Sequence, residues 1–151
     1  MKYSNSCRSY MSNKGTKRIS PAEPIYQGKY WRVEHAYPCG MRGWLILLPN
    51  RHVEAIHEFT NSEMNEFGKI FPNISKSLHK VLKNEKEYVF QLAEGAGFNH
   101  VHFHIIAKPK HLPKKYLATD IFKIMSDVKT ISKEDAIGFC RILKKEMDKL
   151  K

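Results

Sequence analysis

The residues best equipped for chemistry stand together in one short run, His100-Val101-His102-Phe103-His104-Ile105-Ile106. The histidines recur with a period of two, which in an extended strand predicts three imidazoles on one face and Val101, Phe103 and Ile105 on the other. Alternate strand residues lie about 6.6 Å apart, so such a row spans roughly 13 Å, enough to contact a bound phosphate from several sides. Near neutral pH an imidazole can serve as nucleophile, general base or general acid, and adjacent imidazoles disfavour each other's protonation, which keeps an attacking ring neutral. As mere packing residues, three histidines make a poor core, because each ring needs a polar partner. His-x-His on a strand also suits Zn²⁺ or another borderline cation, with the third histidine or His52 completing the shell. Residue types alone leave catalysis and metal binding both open.

Several elements must position this run. Residues 25–33 alternate aromatic and β-branched side chains around Gln27-Gly28-Lys29, which predicts a β-hairpin. Residues 44–48 are apolar and end at Pro49-Asn50, so they read as a buried strand feeding a loop that carries Arg51 and His52. After a cap at Thr60 or Asn61, the spacing of Met64, Phe67, Ile70, Phe71, Ile74, Leu78, Val81 and Leu82 predicts a long helix, with Pro72 as a point where it would kink. Residues 88–92 form the next predicted strand, the turn Glu94-Gly95-Ala96-Gly97 follows, and the histidine strand runs from about 99 to 107. Beyond Pro109 and Pro113 come a short apolar stretch, 121–125, and an amphipathic helix opened by Ser132 with Asp135 three residues on, running to about Leu150. The expected class is α+β: about five antiparallel strands, one long helix and a C-terminal helix. Residues 1–20 are rich in Ser, Asn, Lys and Arg and are expected to form a flexible or loosely docked lead-in, leaving one domain over 21–151 with a helical extension from about 114.

A chain of 151 residues suits one domain with a real core. Its 26 Lys and Arg against 15 acidic residues give a formal charge of +11, a field that draws phosphorylated anions and nucleic acid alike. Much of the excess falls at helical positions such as Lys76, Lys80, Lys83, Lys144, Lys145 and Lys149 and reads as a solvated face, so nucleic acid ranks last among the partners. The apolar runs at 44–48 and 101–107 are too short to cross a bilayer, and no secretory signal is legible. Cys7, Cys39 and Cys140 are odd in number and scattered, which argues against a disulfide framework and for a reducing cytoplasm. Neither a Walker-type phosphate loop nor a Ser-His-Asp ordering is present.

The run His100 to Ile106 resembles the signature of the histidine triad (HIT) family of nucleotide hydrolases and transferases. Pro49-Asn50-Arg51-His52 after the apolar strand, the long helix, and Glu94-Gly95 before the triad agree with it, and the likeness extends over about residues 22–110. The resemblance implies a HIT-like fold and cleavage at the α-phosphate of a nucleotide conjugate, a dinucleoside polyphosphate or a nucleoside phosphoramidate. His102 would be the nucleophile, His100 and His104 would bond phosphoryl oxygens or the leaving group, and His52 would support the triad from behind. His104, where other branches carry Gln, resembles the hydrolases. The resemblance further implies a homodimer and an acidic ribose-binding residue near the end of the early strand, around Glu34 or His35. Two departures stand out. Gly95-Ala96-Gly97-Phe98-Asn99 replaces the Gly-Gln-Ser or Gly-Gln-Thr of many members. Asn99 is the candidate substitute, and a low-turnover nucleotide-binding or protein-interaction module is the alternative function. Some members also hold structural zinc with an N-terminal Cys-x-x-Cys, the upstream histidine and the first triad histidine. Here Ser4 stands where the first cysteine would, so no cofactor is expected.

Overall fold

Every residue of strands β2 (Trp31–His35) and β3 (Trp44–Pro49) is buried, because both faces of the sheet they build are covered. On one face Val33, Leu45, Leu47 and Ile105 pack against Ile74 and Leu78 of the long helix and Leu143 of the last one. On the other, Ala36, Trp44, Ile46, Leu48 and Ile106 meet Tyr116, Ile121 and Ile124 of the C-terminal extension. This second face carries the candidate site. The computed structural model describes residues 7–13, 19–95 and 99–150.

The elements in chain order are α1 (Arg8–Asn13), β1 (Tyr26–Gln27), β2, β3, α2 (Asn61–Leu82), β4 (Lys86–Leu92), β5 (His102–Lys108), α3 (Ile124–Asp127) and α4 (Lys133–Asp148). The five strands lie in the order β1-β2-β3-β5-β4 with every neighbouring pair antiparallel. The α+β class, the five-stranded antiparallel sheet, the long helix and the C-terminal helix are therefore as the sequence reading has them. No helix among the described residues is long and apolar enough to cross a membrane.

Local chemistry fixes the joints around the site. Thr60 and Glu63 form a reciprocal capping box at the start of α2, and the helix continues through Pro72. Buried Glu63 also receives Arg51 Nε at 2.6 Å, while Arg51 Nη2 bonds the Glu58 carbonyl at 2.6 Å, so the loop carrying His52 is clamped to the head of α2. The Arg51 hydrogen bond holds the Glu63 carboxyl below its ordinary range. Gly43 enters β3 at φ +79°, a backbone conformation that favours glycine, and a Cβ there would press on the Leu82 side chain.

Two local expectations differ from the structure. The histidine strand starts at His102 rather than Asn99: the His100 N–H is taken by the Ala93 carbonyl at 3.0 Å and the Val101 N–H by the Val53 carbonyl at 2.7 Å, which puts both residues in a bend ahead of the ladder. Within the expected loose lead-in, Arg8–Asn13 are helical and Cys7, Ser9, Ser12 and Ser20 are buried. That docking uses polar groups, since Arg32 donates to the Ser9 carbonyl and the Ser12 hydroxyl to Glu34, which a composition poor in apolar residues does not reveal. Residues 1–6 and 14–18 of that lead-in lie outside the described residues. The apolar stretch at 121–125 is a 3-10 helix, Ala118–Lys123, running into α3.

Candidate active site

Cross-strand register puts Glu34, Ile46, His104 and Phe90 in one row across the sheet, and pairs His102 with Leu92. Over these rows lies a cavity of about 330 Å³, walled by His102, His104, Ile46 and Leu48 from the sheet, Ser9 from α1 and Met125 from α3. Its volume falls in the range of small-molecule sites.

The hydrogen bonds assign the protons of both cavity histidines. His102 Nδ1 lies 2.8 Å from the His100 carbonyl, which can only accept, so Nδ1 carries the hydrogen and the lone pair of the neutral ring is on Nε2. Burial lowers the His102 pKa from its ordinary value and so favours that neutral ring. His104 has the opposite tautomer. The buried Trp44 indole N–H, a donor only, reaches His104 Nδ1 at 2.9 Å, which leaves the hydrogen of His104 on Nε2. Burial, then the neighbouring His102, push His104 down to about 4. Trp44 and Phe122 contact the His104 ring edge-on, with centroids at 5.9 and 5.2 Å.

The other two histidines make a separate pair. His100 is fully buried, with Nε2 3.3 Å from the Pro49 carbonyl and Nδ1 3.3 Å from His52 Nδ1. Burial first, then His52, push it down to about 3. His52 Nε2 bonds Glu54 Oε1 at 2.9 Å. The predicted row of three rings facing one ligand is therefore two cavity rings and one buried ring, and what His100 gives His102 is a backbone carbonyl. Asn99 is exposed, and its carbonyl lies 3.9 Å from Cys7 Sγ. Glu34 is buried on the cavity face beside Arg32, at 2.9 Å.

Cys7, His52 and His100 each offer a donor atom within 4.8 Å of the others, and all three residues are buried. The donor set fits a borderline cation. The Pro49 carbonyl requires a hydrogen on His100 Nε2, so the lone pair of the neutral ring is on Nδ1, toward His52 and Cys7, and outward bonds of this kind are how metal-binding histidines are oriented. The fourth position of the Cys-x-x-Cys pattern, Ser4, lies outside the described residues. The feature absent from the sequence reading is Trp44, which passes for one more apolar strand residue. Its signal was available: an indole in a buried strand needs an acceptor.

A family model described as the HIT domain matches residues 17–111, more than half of the chain. A hypothetical histidine triad nucleotide-binding protein from Sulfolobus tokodaii is similar at 16% identity and a TM-score of 0.69, over 94% of this chain and 91% of that one. A zinc-bound histidine triad family protein from Mycobacterium smegmatis is 16% identical with a TM-score of 0.68, over 96% and 95%. Plasmodium falciparum diadenosine triphosphate hydrolase, solved in complex with cyclomarin A, is 12% identical with a TM-score of 0.63, over 84% and 77%. No curated protein matches the sequence. With a family model spanning the triad, its flanking strands and the His52 loop, the chain belongs to the histidine triad family.

Proposed function

We propose that the protein hydrolyses a nucleotide conjugate, a dinucleoside polyphosphate or a nucleoside phosphoramidate, at its α-phosphate through a nucleotidyl-His102 intermediate. The observation that carries this reading is the tautomer of His102: a carbonyl acceptor on Nδ1 leaves Nε2 as the nucleophilic nitrogen of a ring that lines the cavity. Nε2 attacks phosphorus, the bond to the leaving oxygen or nitrogen breaks, and the leaving group takes a proton. His104, with its hydrogen on Nε2, donates to a phosphoryl oxygen or the leaving group. Water then attacks phosphorus, the P–N bond breaks and the nucleoside monophosphate leaves. The His at position 104 supports hydrolysis over transfer. The test is a panel of dinucleoside polyphosphates and nucleoside phosphoramidates, with products read by mass, on the intact protein and on His102→Asn. Turnover lost in the variant with binding of nucleoside monophosphate kept is the expected result; binding without turnover in the intact protein would instead favour a nucleotide-binding module.

The donor cluster supports a second assignment, structural zinc held by Cys7, His52 and His100, which would fasten the N-terminal segment to the bend before β5. Elemental analysis of intact protein and Cys7→Ser tests it: about one zinc per chain is expected, with both metal and thermal stability reduced in the variant, and intact protein free of metal would remove it. Homodimer formation belongs to the same family reading. β4 is an edge strand with Val89 and Leu92 exposed, and such an edge favours pairing with a second copy; mass in solution by light scattering checks it.

A further inference from the structure

In the buried pair His52 and His100, two nitrogens face each other, and the groups behind the rings decide which atoms they are. The hydrogen of His100 is on Nε2, where the Pro49 carbonyl takes it at 3.3 Å, so the lone pair of the neutral ring is on Nδ1. His52 is set the same way from its other side. Its Nε2 lies 2.9 Å from Glu54 Oε1, and a carboxylate only accepts, so the ring hydrogen is on Nε2 and the lone pair of the neutral ring is on Nδ1. The two lone pairs then meet, Nδ1 to Nδ1, at 3.3 Å. Neither nitrogen has a hydrogen to give the other. Buried acceptors placed this way repel, and a cation between them relieves both.

The spacing is that of two ligands on one ion. Metal–nitrogen bonds of about 2.0–2.1 Å at a tetrahedral ion put two nitrogens roughly 3.3–3.4 Å apart, and the rings stand at 3.3 Å. Cys7 offers its sulfur within 4.8 Å of both nitrogens. As an ion binds, the Cys7 thiol passes its proton to water and the sulfur bonds the ion as thiolate. Two acceptors aim the two rings, and they differ in kind. The Pro49 carbonyl is backbone of β3, whereas Glu54 is a side chain two residues beyond His52, 53% exposed. The charge of so exposed a carboxylate adds little to stability, so its effect is read in the orientation of the ring it holds.

We propose that Glu54 is the positioning residue of a zinc centre at Cys7, His52 and His100: by holding the His52 hydrogen on Nε2 it aims Nδ1 at the ion. The inference rests on the metal reading of that cluster and adds the residue that orients it. Once Glu54 is removed, the His52 hydrogen can move to Nδ1, where it bonds His100 Nδ1 and closes the pair against the ion. Loss of such an outer partner lowers metal affinity by about 10- to 100-fold.

The experiment titrates metal-stripped protein with Zn²⁺ and Co²⁺ against a competing chelator, on the intact chain, Glu54→Gln and Glu54→Ala, and reads the histidine nitrogens by nitrogen-15 NMR. The intact protein is expected to bind about one ion per chain, to show cobalt absorption bands of a thiolate site, and to carry the His52 hydrogen on Nε2 with and without metal. Glu54→Ala is expected to bind about tenfold more weakly or worse, with the His52 hydrogen on Nδ1 when metal-free. Glu54→Gln, whose side-chain carbonyl still accepts from Nε2, is expected to recover part of the loss. Equal affinity in the intact protein and Glu54→Ala overturns the proposal while leaving the metal reading in place. A His52 hydrogen on Nδ1 in the intact protein also overturns it, and that observation needs no variant to fold. An intact protein that binds neither ion overturns the metal reading, and the proposal with it.

Discussion

Replacing Trp44 with Phe removes one hydrogen, the indole N–H that His104 Nδ1 accepts at 2.9 Å, and keeps an aromatic ring against Phe122. Trp44 is fully buried, so no water replaces the lost donor without rearrangement. A buried acceptor left without its partner costs about 1–3 kcal/mol. Part of this appears as lost stability. The rest appears in the tautomer balance of His104, because nothing then opposes a hydrogen on Nδ1, and each 1.4 kcal/mol of bias is a factor of about ten in the population that presents Nε2–H to the cavity. Steady-state kinetics on a nucleoside phosphoramidate should therefore show kcat lower by about 5- to 20-fold, with KM changed far less, since Trp44 itself is not a wall of the cavity. Nitrogen-15 NMR of the histidine rings reads the cause directly: His104 is expected with a protonated Nε2 in the intact protein and a mixed state in Trp44→Phe. An unchanged kcat in a folded variant, or a His104 tautomer that does not move, would refute the reasoning.

Acid should destabilise the fold in a defined window. His104 sits at about 4 in the folded protein against an ordinary 6.5, so the unfolded chain binds the extra proton. Its contribution is complete above about pH 6.5 and is lost as the pH falls toward 4, amounting to on the order of 3 kcal/mol by pH 4. Denaturant midpoints that stay level from pH 7 to 4 would contradict this. Phe122→Ala, which strips a ring from Trp44, His104 and Phe90 together, should cost about 2 kcal/mol and lower Tm by roughly 4–8 °C in a calorimetric scan. Thr60→Ala opens the capping box of α2 and should cost about 1 kcal/mol, read from the same scans.

Where a side chain's role follows from period or capping, the sequence was legible. The unbroken apolar run at 44–48 and the alternation through 102–107 mark the central strands, the helical spacing from Met64 to Leu82 marks α2, and Thr60 with Ser132 marks both helix starts. The cavity pair His102 and His104 follows from the same alternation. His100 does not, because its backbone N–H is captured by Ala93, a contact between residues in a turn with no periodic trace. Trp44 and His104 are sixty residues apart and meet only through strand register. The docking of α1 was hidden for a different reason: serines over a buried Arg32–Glu34 pair look, in composition, like a solvated lead-in, and only their shared burial reveals the contact. Likewise Phe122 and Met125 reach the site from an extension that lies outside the matched family domain.

The claim that His102 attacks phosphorus is tested most directly by quenching the enzyme in alkaline denaturant, in which a phosphorus–imidazole bond survives, during turnover of a nucleoside phosphoramidate and weighing its peptides. The account predicts a peptide heavier by one nucleotidyl group at His102, formed within the first turnover and absent from His102→Asn. A nucleotidyl group on any other residue, or full turnover by the protein lacking His102, would contradict it.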